Sequence, residues 1–179
     1  MPGTSNIKAA LSLIENDKSK VLGLTVGKHS NVQPGQYIPK AEAQSEPVLS
    51  FSSLSPEKTY LVIGLDPDAP FPSFGVLGPV LHWSQPGMKA EPAEAGGFTL
   101  KSTGPFVANW IGPGPPPISA PHRYTFFLYE EPEGFDVKKY ASPGGKDVGV
   151  GPRMRFDLDA WAKEVKLGAP IAVNYFKSN

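Results

Sequence analysis

The chain has 179 residues, with 17 basic and 17 acidic side chains and therefore no formal net charge at neutral pH. It contains no cysteine, which excludes a disulfide framework, a thiolate metal site and a cysteine nucleophile. A balanced charge leaves no electrostatic footprint for nucleic acid. We therefore expect one domain over residues 1–179, with no nucleic-acid partner, no metal and no cofactor.

The placement of proline and glycine predicts a mainly β protein with few helices. The 21 prolines and 19 glycines separate short apolar runs instead of forming one low-complexity tract, which is typical of a sheet with many irregular connections. The first thirty residues lack the features of a secretory signal, and no apolar stretch reaches the length of a membrane span. We therefore expect a cytoplasmic protein without a transmembrane segment, with peripheral membrane contact left open.

A short amphipathic helix and three strands are predicted in the first third of the chain. Thr4 or Ser5 can cap the helix, and its apolar face carries Ile7, Leu11 and Ile14. Alternating or short apolar runs then predict strands at residues 22–26, 36–38 and 48–51.

Further strands are predicted around two runs that are apolar on both faces. Residues 60–65 form the first run, which ends at Asp66 and suits a strand buried in the middle of the protein. Shorter apolar runs at residues 80–83 and 106–110 are candidate strands. Residues 124–129 form the second central run.

The C-terminal part predicts one helix and a last strand. Asp157 is a plausible cap for a helix that Gly168 would terminate. The helix carries apolar residues at three- and four-residue steps: Leu158, Trp161 and Val165. Residues 171–176 read as the final strand.

Polar residues cluster in three proline-bounded segments at the edges of these apolar runs. Residues 66–70 carry Asp66 and Asp68, which point to the same side if the backbone is extended. The second segment, residues 81–83, contains His82, and the third, residues 114–124, contains His122 and Tyr124. Protonated histidines oriented by aspartates, together with a tyrosine hydroxyl, can receive an anion.

Less specific explanations of the same residues remain open. Aspartate beside proline often ends a strand in a simple turn, and both histidines can be satisfied loop residues. Zinc is a weaker alternative because no histidine pair has helical spacing and no cysteine assists. Ser102, Ser119 and Ser142 lack the nucleophile-elbow context of a serine hydrolase.

Together, in this order and spacing, the three segments resemble the phosphatidylethanolamine-binding protein family. The similarity runs from Lys20 to Phe176, and the whole chain with its short helix is most similar to fungal members, some of which accompany secondary-metabolite pathways. The resemblance implies a two-sheet Greek-key β-sandwich with a few peripheral α-helices. It also implies a small anion pocket formed by Asp66, His82, Pro116, His122 and Tyr124, with Asp68 and Gly114 close by.

The connection at residues 71–79 departs from the family pattern. The family commonly has charged residues there, whereas Phe71 to Pro79 carries none. An apolar rim favours an acyl chain, a hydrophobic metabolite or a protein partner over a solvated head group. The resemblance therefore supports the pocket more strongly than it supports the usual ligand of the family.

Three functions follow as hypotheses. The first is a binding or regulatory protein for a phosphate or carboxylate group, such as a phospholipid head group, with a signalling protein as a possible partner. The second is a serine carboxypeptidase inhibitor, which would use the N-terminal helix or residues 71–77 to occupy the protease. The third, less favoured, is an enzyme-like role in which His82, His122 and the aspartates move protons on a carboxylate or anhydride metabolite.

Overall fold

The computed structural model describes residues 4–93 and 97–179. The chain is mainly β, as the placement of proline and glycine predicts. In chain order the elements are α1 Ser5–Asn16, β1 Gly23–Thr25, β2 Gln36–Tyr37, β3 Val48–Ser50, β4 Tyr60–Asp66, β5 Val80–Pro92, β6 Phe98–Lys101, β7 His122–Glu130, α2 Val137–Tyr140, α3 Val150–Arg153, α4 Leu158–Glu164 and β8 Ala172–Ser178.

All eight strands join in one curled sheet. Their order is β1-β3-β6-β5-β4-β7-β8-β2, and every pair is antiparallel except β2 with β8. The long strand β5 links the two halves, because residues 80–88 pair with β4 and residues 89–92 pair with β6. Register shifts against β4 mark irregular points where the sheet can bend. The expected two-sheet Greek-key sandwich is therefore not confirmed.

Strand β4 is buried on both faces, as its apolar run predicts. Tyr60 and Val62 pack into one hydrophobic cluster, whereas Leu61, Ile63 and Leu65 pack into a second cluster on the opposite face. Helix α1 covers the second cluster with Ile7, Ala10 and Ile14. Asp66, at the end of β4, is thus held by the most enclosed part of the sheet.

One predicted strand is absent from the structure, and one observed strand was not predicted. Residues 106–110 do not form a strand: only Ala108 bridges to Ser84, and the N–H groups of Val107 and Ala108 both donate to the same Ser84 carbonyl. That shared acceptor prevents a regular ladder. Strand β6 was not predicted, because its run of four residues is too short and mixed to show alternation.

The last helix begins as predicted but ends early. The Asp157 carboxylate accepts from the Ala160 N–H at 2.9 Å, which confirms the cap. Gly168 does not terminate the helix. The chain reverses at Lys166, whose φ is +57°, and the Leu167 N–H donates to the Ala162 carbonyl at 2.8 Å. A left-handed residue directly after the last turn is the usual helix stop, here supplied without glycine.

Candidate functional site

The sheet brings the predicted polar segments to one edge. Strand β4 lies between β5 and β7, so its last residue, Asp66, is near His82 of β5 and His122 at the start of β7. A cavity of about 550 Å³ opens there, a volume that suits a small-molecule ligand. Its lining includes six of the seven residues predicted for the site: Asp66, His82, Gly114, Pro116, His122 and Tyr124.

The rest of the cavity wall is largely apolar. Leu77 and Val80 belong to or follow the uncharged segment 71–79, while Val150 and Met154 lie in and just after α3. The remaining lining residues are Gln44, Ala69, Pro70, Ile111, Gly112 and Pro115. The polar groups are therefore set into an apolar frame, as the sequence of the rim predicts.

His122 is held by hydrogen bonds at both ring nitrogens. Its Nδ1–H donates to Asp66 Oδ2 at 2.7 Å, and its Nε2 lies 3.1 Å from the Pro70 carbonyl and 2.9 Å from Ser119 Oγ. The Ser119 hydroxyl lies 2.9 Å from the Ala120 carbonyl, to which it donates if Nε2 carries the proton. Asp66 is itself oriented by the Asp68 N–H, which donates to Oδ1 at 2.8 Å.

The surroundings of His122 favour the charged imidazolium. Burial lowers its pKa, but the hydrogen bond and charge of Asp66, the charge of Asp68 and the Pro70 carbonyl outweigh burial and raise the pKa overall. Ser119, His122 and Asp66 are thus in line like the members of a catalytic triad. Ser119 does not line the cavity, however, and a protonated ring cannot act as its base.

His82 is in the opposite electrostatic state. Its Nδ1–H donates to the Ile111 carbonyl at 2.8 Å. Burial lowers the pKa of His82, and the Ile111 carbonyl and Asp66 only partly oppose this, while Arg153 and His122 add to it. The ring is therefore neutral near pH 7, and its remaining nitrogen, Nε2, is a hydrogen-bond acceptor.

The Tyr124 hydroxyl is a buried donor on the cavity wall. Tyr124 is 1% exposed, and its O–H finds no acceptor among the described residues, although the Gly114 N–H approaches its oxygen. Burial raises the pKa of Tyr124, with Asp66 acting in the same direction, so the hydroxyl stays protonated. The ring is fixed by an edge contact with His82 and by stacking on Phe176, with ring centroids 5.0 and 5.3 Å apart.

Asp68 does not line the cavity but pairs with Arg123. One carboxylate oxygen accepts from the Arg123 Nε–H and backbone N–H, both at 2.9 Å, and the other accepts from Nη2 at 2.7 Å. The ion pair expected of Arg123 is thus present. The sequence predicts that Asp68 faces the pocket beside Asp66, as it would in an extended strand. The chain turns at residues 67–68, however, so the two side chains do not point to the same side.

Two residues near the site were missed by sequence reasoning. Arg153 is completely buried behind the cavity wall, and Asn109 contacts its guanidinium through both its backbone carbonyl and its side chain. Neither residue stands in a motif that the sequence analysis recognised. A lone arginine beside glycine and proline gives no signal of burial, because its partners come from distant parts of the chain.

Residues 4–93 and 97–179 contain neither a metal-binding cluster nor a membrane-spanning helix. No group of three or more histidine, aspartate or glutamate side chains is arranged to hold a metal ion there. None of the helices in the same ranges is long and apolar enough to cross a membrane. The cytoplasmic location stays a prediction.

The sequence matches the model of a known protein family over most of the chain. The family model described as phosphatidylethanolamine-binding protein matches residues 28–176. The chain therefore belongs to the phosphatidylethanolamine-binding protein family, as the three polar segments predict.

Curated relatives share between a quarter and a third of their residues with the chain. An uncharacterized protein of Saccharomyces cerevisiae is 32% identical over 115 residues, which are 62% of this chain and only 57% of that protein. The phomoidride biosynthesis cluster protein N of Talaromyces stipitatus is 29% identical over 167 residues, covering 87% of this chain and 82% of the relative. The carboxypeptidase Y inhibitor of Saccharomyces cerevisiae is 26% identical over 185 aligned residues, covering 88% and 83%.

A solved structure supports the fold. The carboxypeptidase Y inhibitor complexed with its cognate proteinase superposes with a TM-score of 0.71 at 23% sequence identity. The match covers 97% of this chain and 93% of that chain. At this level of identity the likeness establishes the fold alone.

Proposed function

We propose that the chain is a noncatalytic binding protein whose cavity takes a small phosphate or carboxylate head group. The observation that carries this proposal is the Tyr124 hydroxyl, which is buried on the wall of a cavity of about 550 Å³ without an acceptor for its proton among the described residues. A buried donor without an acceptor is costly. A ligand oxygen would supply the missing acceptor.

Other groups at the site favour a singly protonated head group. The N–H group of Gly112, a lining residue, donates no hydrogen bond to another described residue, and the Gly114 N–H approaches only the Tyr124 oxygen. Both can join Tyr124 in receiving ligand oxygens. Neutral His82 offers Nε2 as an acceptor for the ligand's own proton. A phosphate monoester monoanion carries both kinds of group, whereas a dianion would meet the Asp66 carboxylate without donating to His82.

The remaining predicted residues act from behind the ligand in this proposal. Asp66 holds His122 in its charged state, and Asp68 fixes the turn through Arg123. Pro116 shapes the wall without offering an N–H group. The apolar rim accommodates the part of the ligand beyond its head group.

Titration of the histidine ring signals by NMR tests the proposal. Phosphoethanolamine and then acetate should cause saturable shifts at His82 and His122. His29 is the internal control, because it does not line the cavity and its Nε2 lies 2.6 Å from Glu42 Oε2. Tyr124→Phe should lower the ligand affinity measured in this titration about tenfold, as expected for the loss of one hydrogen bond to a charged ligand. Unchanged His82 and His122 signals at saturating ligand would refute the head-group site.

Inhibition of a serine carboxypeptidase is the second candidate function. It is favoured by the similarity to the yeast carboxypeptidase Y inhibitor and by an exposed apolar segment, in which Phe74 is 62% and Val76 48% exposed. Helix α1 is a poorer candidate for contact with the protease, because its apolar residues Ile7 and Ile14 are already buried. The loop at residues 71–77 is therefore the proposed inhibitory segment.

An assay with purified carboxypeptidase Y separates the two functions. If the loop inhibits the enzyme, Phe74→Ser should weaken inhibition, while Val48→Ser should not. Val48 is a matched control because it is 51% exposed but lies on β3, outside the cavity lining. No inhibition by the unsubstituted protein would eliminate this candidate and leave the head-group proposal intact.

A further inference from the structure

Arg153 is a buried cation without a carboxylate partner among the described residues. It is 0% exposed. Its guanidinium donates to four backbone carbonyls and one side-chain amide: Val148 O at 3.0 Å, Leu81 O at 3.1 Å, His82 O at 3.2 Å, Asn109 O at 2.9 Å and Asn109 Oδ1 at 2.6 Å. All five acceptors are uncharged. The hydrogen bonds satisfy the guanidinium, but no salt bridge among the described residues compensates its positive charge, on which the exposed Asp147 carboxylate acts without pairing.

The other charges beside the cavity are already neutralised. His122 pairs with Asp66 at 2.7 Å, and Arg123 pairs with Asp68 at 2.7 Å. The burial and contacts of His82 hold its ring neutral. Arg155 is exposed, so water screens its charge. Within the described part of the chain, Arg153 is therefore the buried positive charge beside the cavity wall that forms no salt bridge.

The guanidinium is also tied directly to the wall. It binds the carbonyl of His82, and that carbonyl accepts from the Ile111 N–H at 3.0 Å. The His82 ring in turn donates to the Ile111 carbonyl. Val150 and Met154, on either side of Arg153 in sequence, both line the cavity. The charge consequently acts on the cavity through protein, where it is screened less than at the surface.

We propose that Arg153 is a positioning residue that supplies the uncompensated positive charge by which the cavity attracts an anion, without touching that anion. The inference rests on the proposed head-group function and identifies the source of its charge preference. Burial of an unpaired charge is costly. A bound anion offsets part of that cost, so the same charge that strains the free protein favours the complex.

Asn109→Asp tests the proposal without changing side-chain shape. The substitution places a carboxylate where Asn109 Oδ1 now lies 2.6 Å from the guanidinium, and it retains the acceptor for the Val148 N–H at 2.9 Å. It removes only a long amide contact with Trp110 O at 3.4 Å. The affinity for inorganic phosphate should fall about tenfold, which corresponds to one pKa unit of interaction, and the pKa of His82 should rise.

Two further variants complete the experiment. Asn31→Asp adds the same charge at an exposed position away from the cavity lining and should leave both readouts unchanged. Asp147→Asn removes an exposed carboxylate whose charge acts on Arg153, and it should raise phosphate affinity by about twofold, within the range of exposed charge pairs. Because Asp147 is exposed, its substitution should leave the fold intact. This variant therefore tests the electrostatic effect of Arg153 even if Asn109→Asp fails to fold.

The outcomes separate the inference from the function on which it rests. If the unsubstituted protein binds neither phosphate nor acetate, the head-group function fails, and the role of Arg153 in it fails too. If phosphate binds equally well to the unsubstituted protein and to folded Asn109→Asp, or if Asp147→Asn does not strengthen binding, only the role of Arg153 is overturned. A purely structural role would change stability but would not move the pKa of His82 in the stated direction.

Discussion

Two buried tyrosines should respond with opposite sign to the same substitution. Tyr124 and Tyr60 are each 1% exposed. The Tyr124 O–H has no acceptor among the described residues. The Tyr60 hydroxyl accepts from the Ser55 N–H at 2.7 Å and lies 3.3 Å from the Ser55 carbonyl, which can accept its proton. Replacement by phenylalanine removes one oxygen atom in each case and keeps the ring packing.

The expected magnitudes follow from the state of each hydroxyl. An unsatisfied buried polar group costs about 1–3 kcal/mol, so Tyr124→Phe should raise the free energy of unfolding by about 1 kcal/mol. A satisfied hydrogen bond contributes about 1 kcal/mol, so Tyr60→Phe should lower the free energy of unfolding by that amount. For a chain of this length each change corresponds to about 2–4 °C in Tm, in opposite directions.

Urea unfolding monitored by circular dichroism measures both variants. The slope of the free energy against urea should stay constant, since neither substitution changes the surface exposed on unfolding. Tyr124→Phe should also weaken phosphoethanolamine binding, so that one substitution stabilises the protein and impairs the site. If Tyr124→Phe destabilises the protein as much as Tyr60→Phe, the hydroxyl has a partner and the argument for the head-group site is wrong.

Three further predictions concern the surroundings of the cavity. Asp68→Ala should lower the free energy of unfolding by about 1–2 kcal/mol, which is less than the loss on breaking a fully buried ion pair because the Arg123 side chain is 40% exposed. An unchanged free energy of unfolding in urea would contradict this. Because the pKa of His122 is raised, the stability that its pair with Asp66 contributes should be complete below about pH 6.5 and lost as the pH rises through the folded-state pKa. The difference in free energy of unfolding between the unsubstituted protein and His122→Gln should therefore shrink from about pH 6 to about pH 9. A difference that grows over this range would contradict the prediction. Ile118 is fully exposed with φ +68°, so Ile118→Gly should relieve about 1 kcal/mol of backbone strain; a lower Tm would count against that.

Local signals in the sequence were sufficient for the part of the site that sits at strand ends. The apolar runs before Asp66 and after His122 predict β4 and β7, and neighbouring strands necessarily bring their ends together. Asp68 was expected to face the pocket, but a turn at residues 67–68 directs it to Arg123 instead. The geometry of a turn depends on contacts that cannot be predicted from the alternation of side chains along a strand.

The remaining features depend on tertiary contacts that a single sequence does not reveal. Arg153 reads as an ordinary surface arginine, and its burial follows only from carbonyls contributed by β5 and by Asn109. The union of all strands in one sheet depends on β5, whose length exceeds the apolar run at its start. Hydrogen-bond pairing beyond that run is set by β6, which has no clear periodicity.

The burial of β4 on both faces has a kinetic consequence. Because β5 and β7 pair with its two edges and apolar clusters cover both faces, its amide hydrogens should exchange with deuterated solvent only when the whole fold opens. Gly112 and Gly114, in the loop beside the cavity, have no such protection. Exchange at β4 should therefore report global stability, while exchange at these two glycines reports how long the cavity stays occupied.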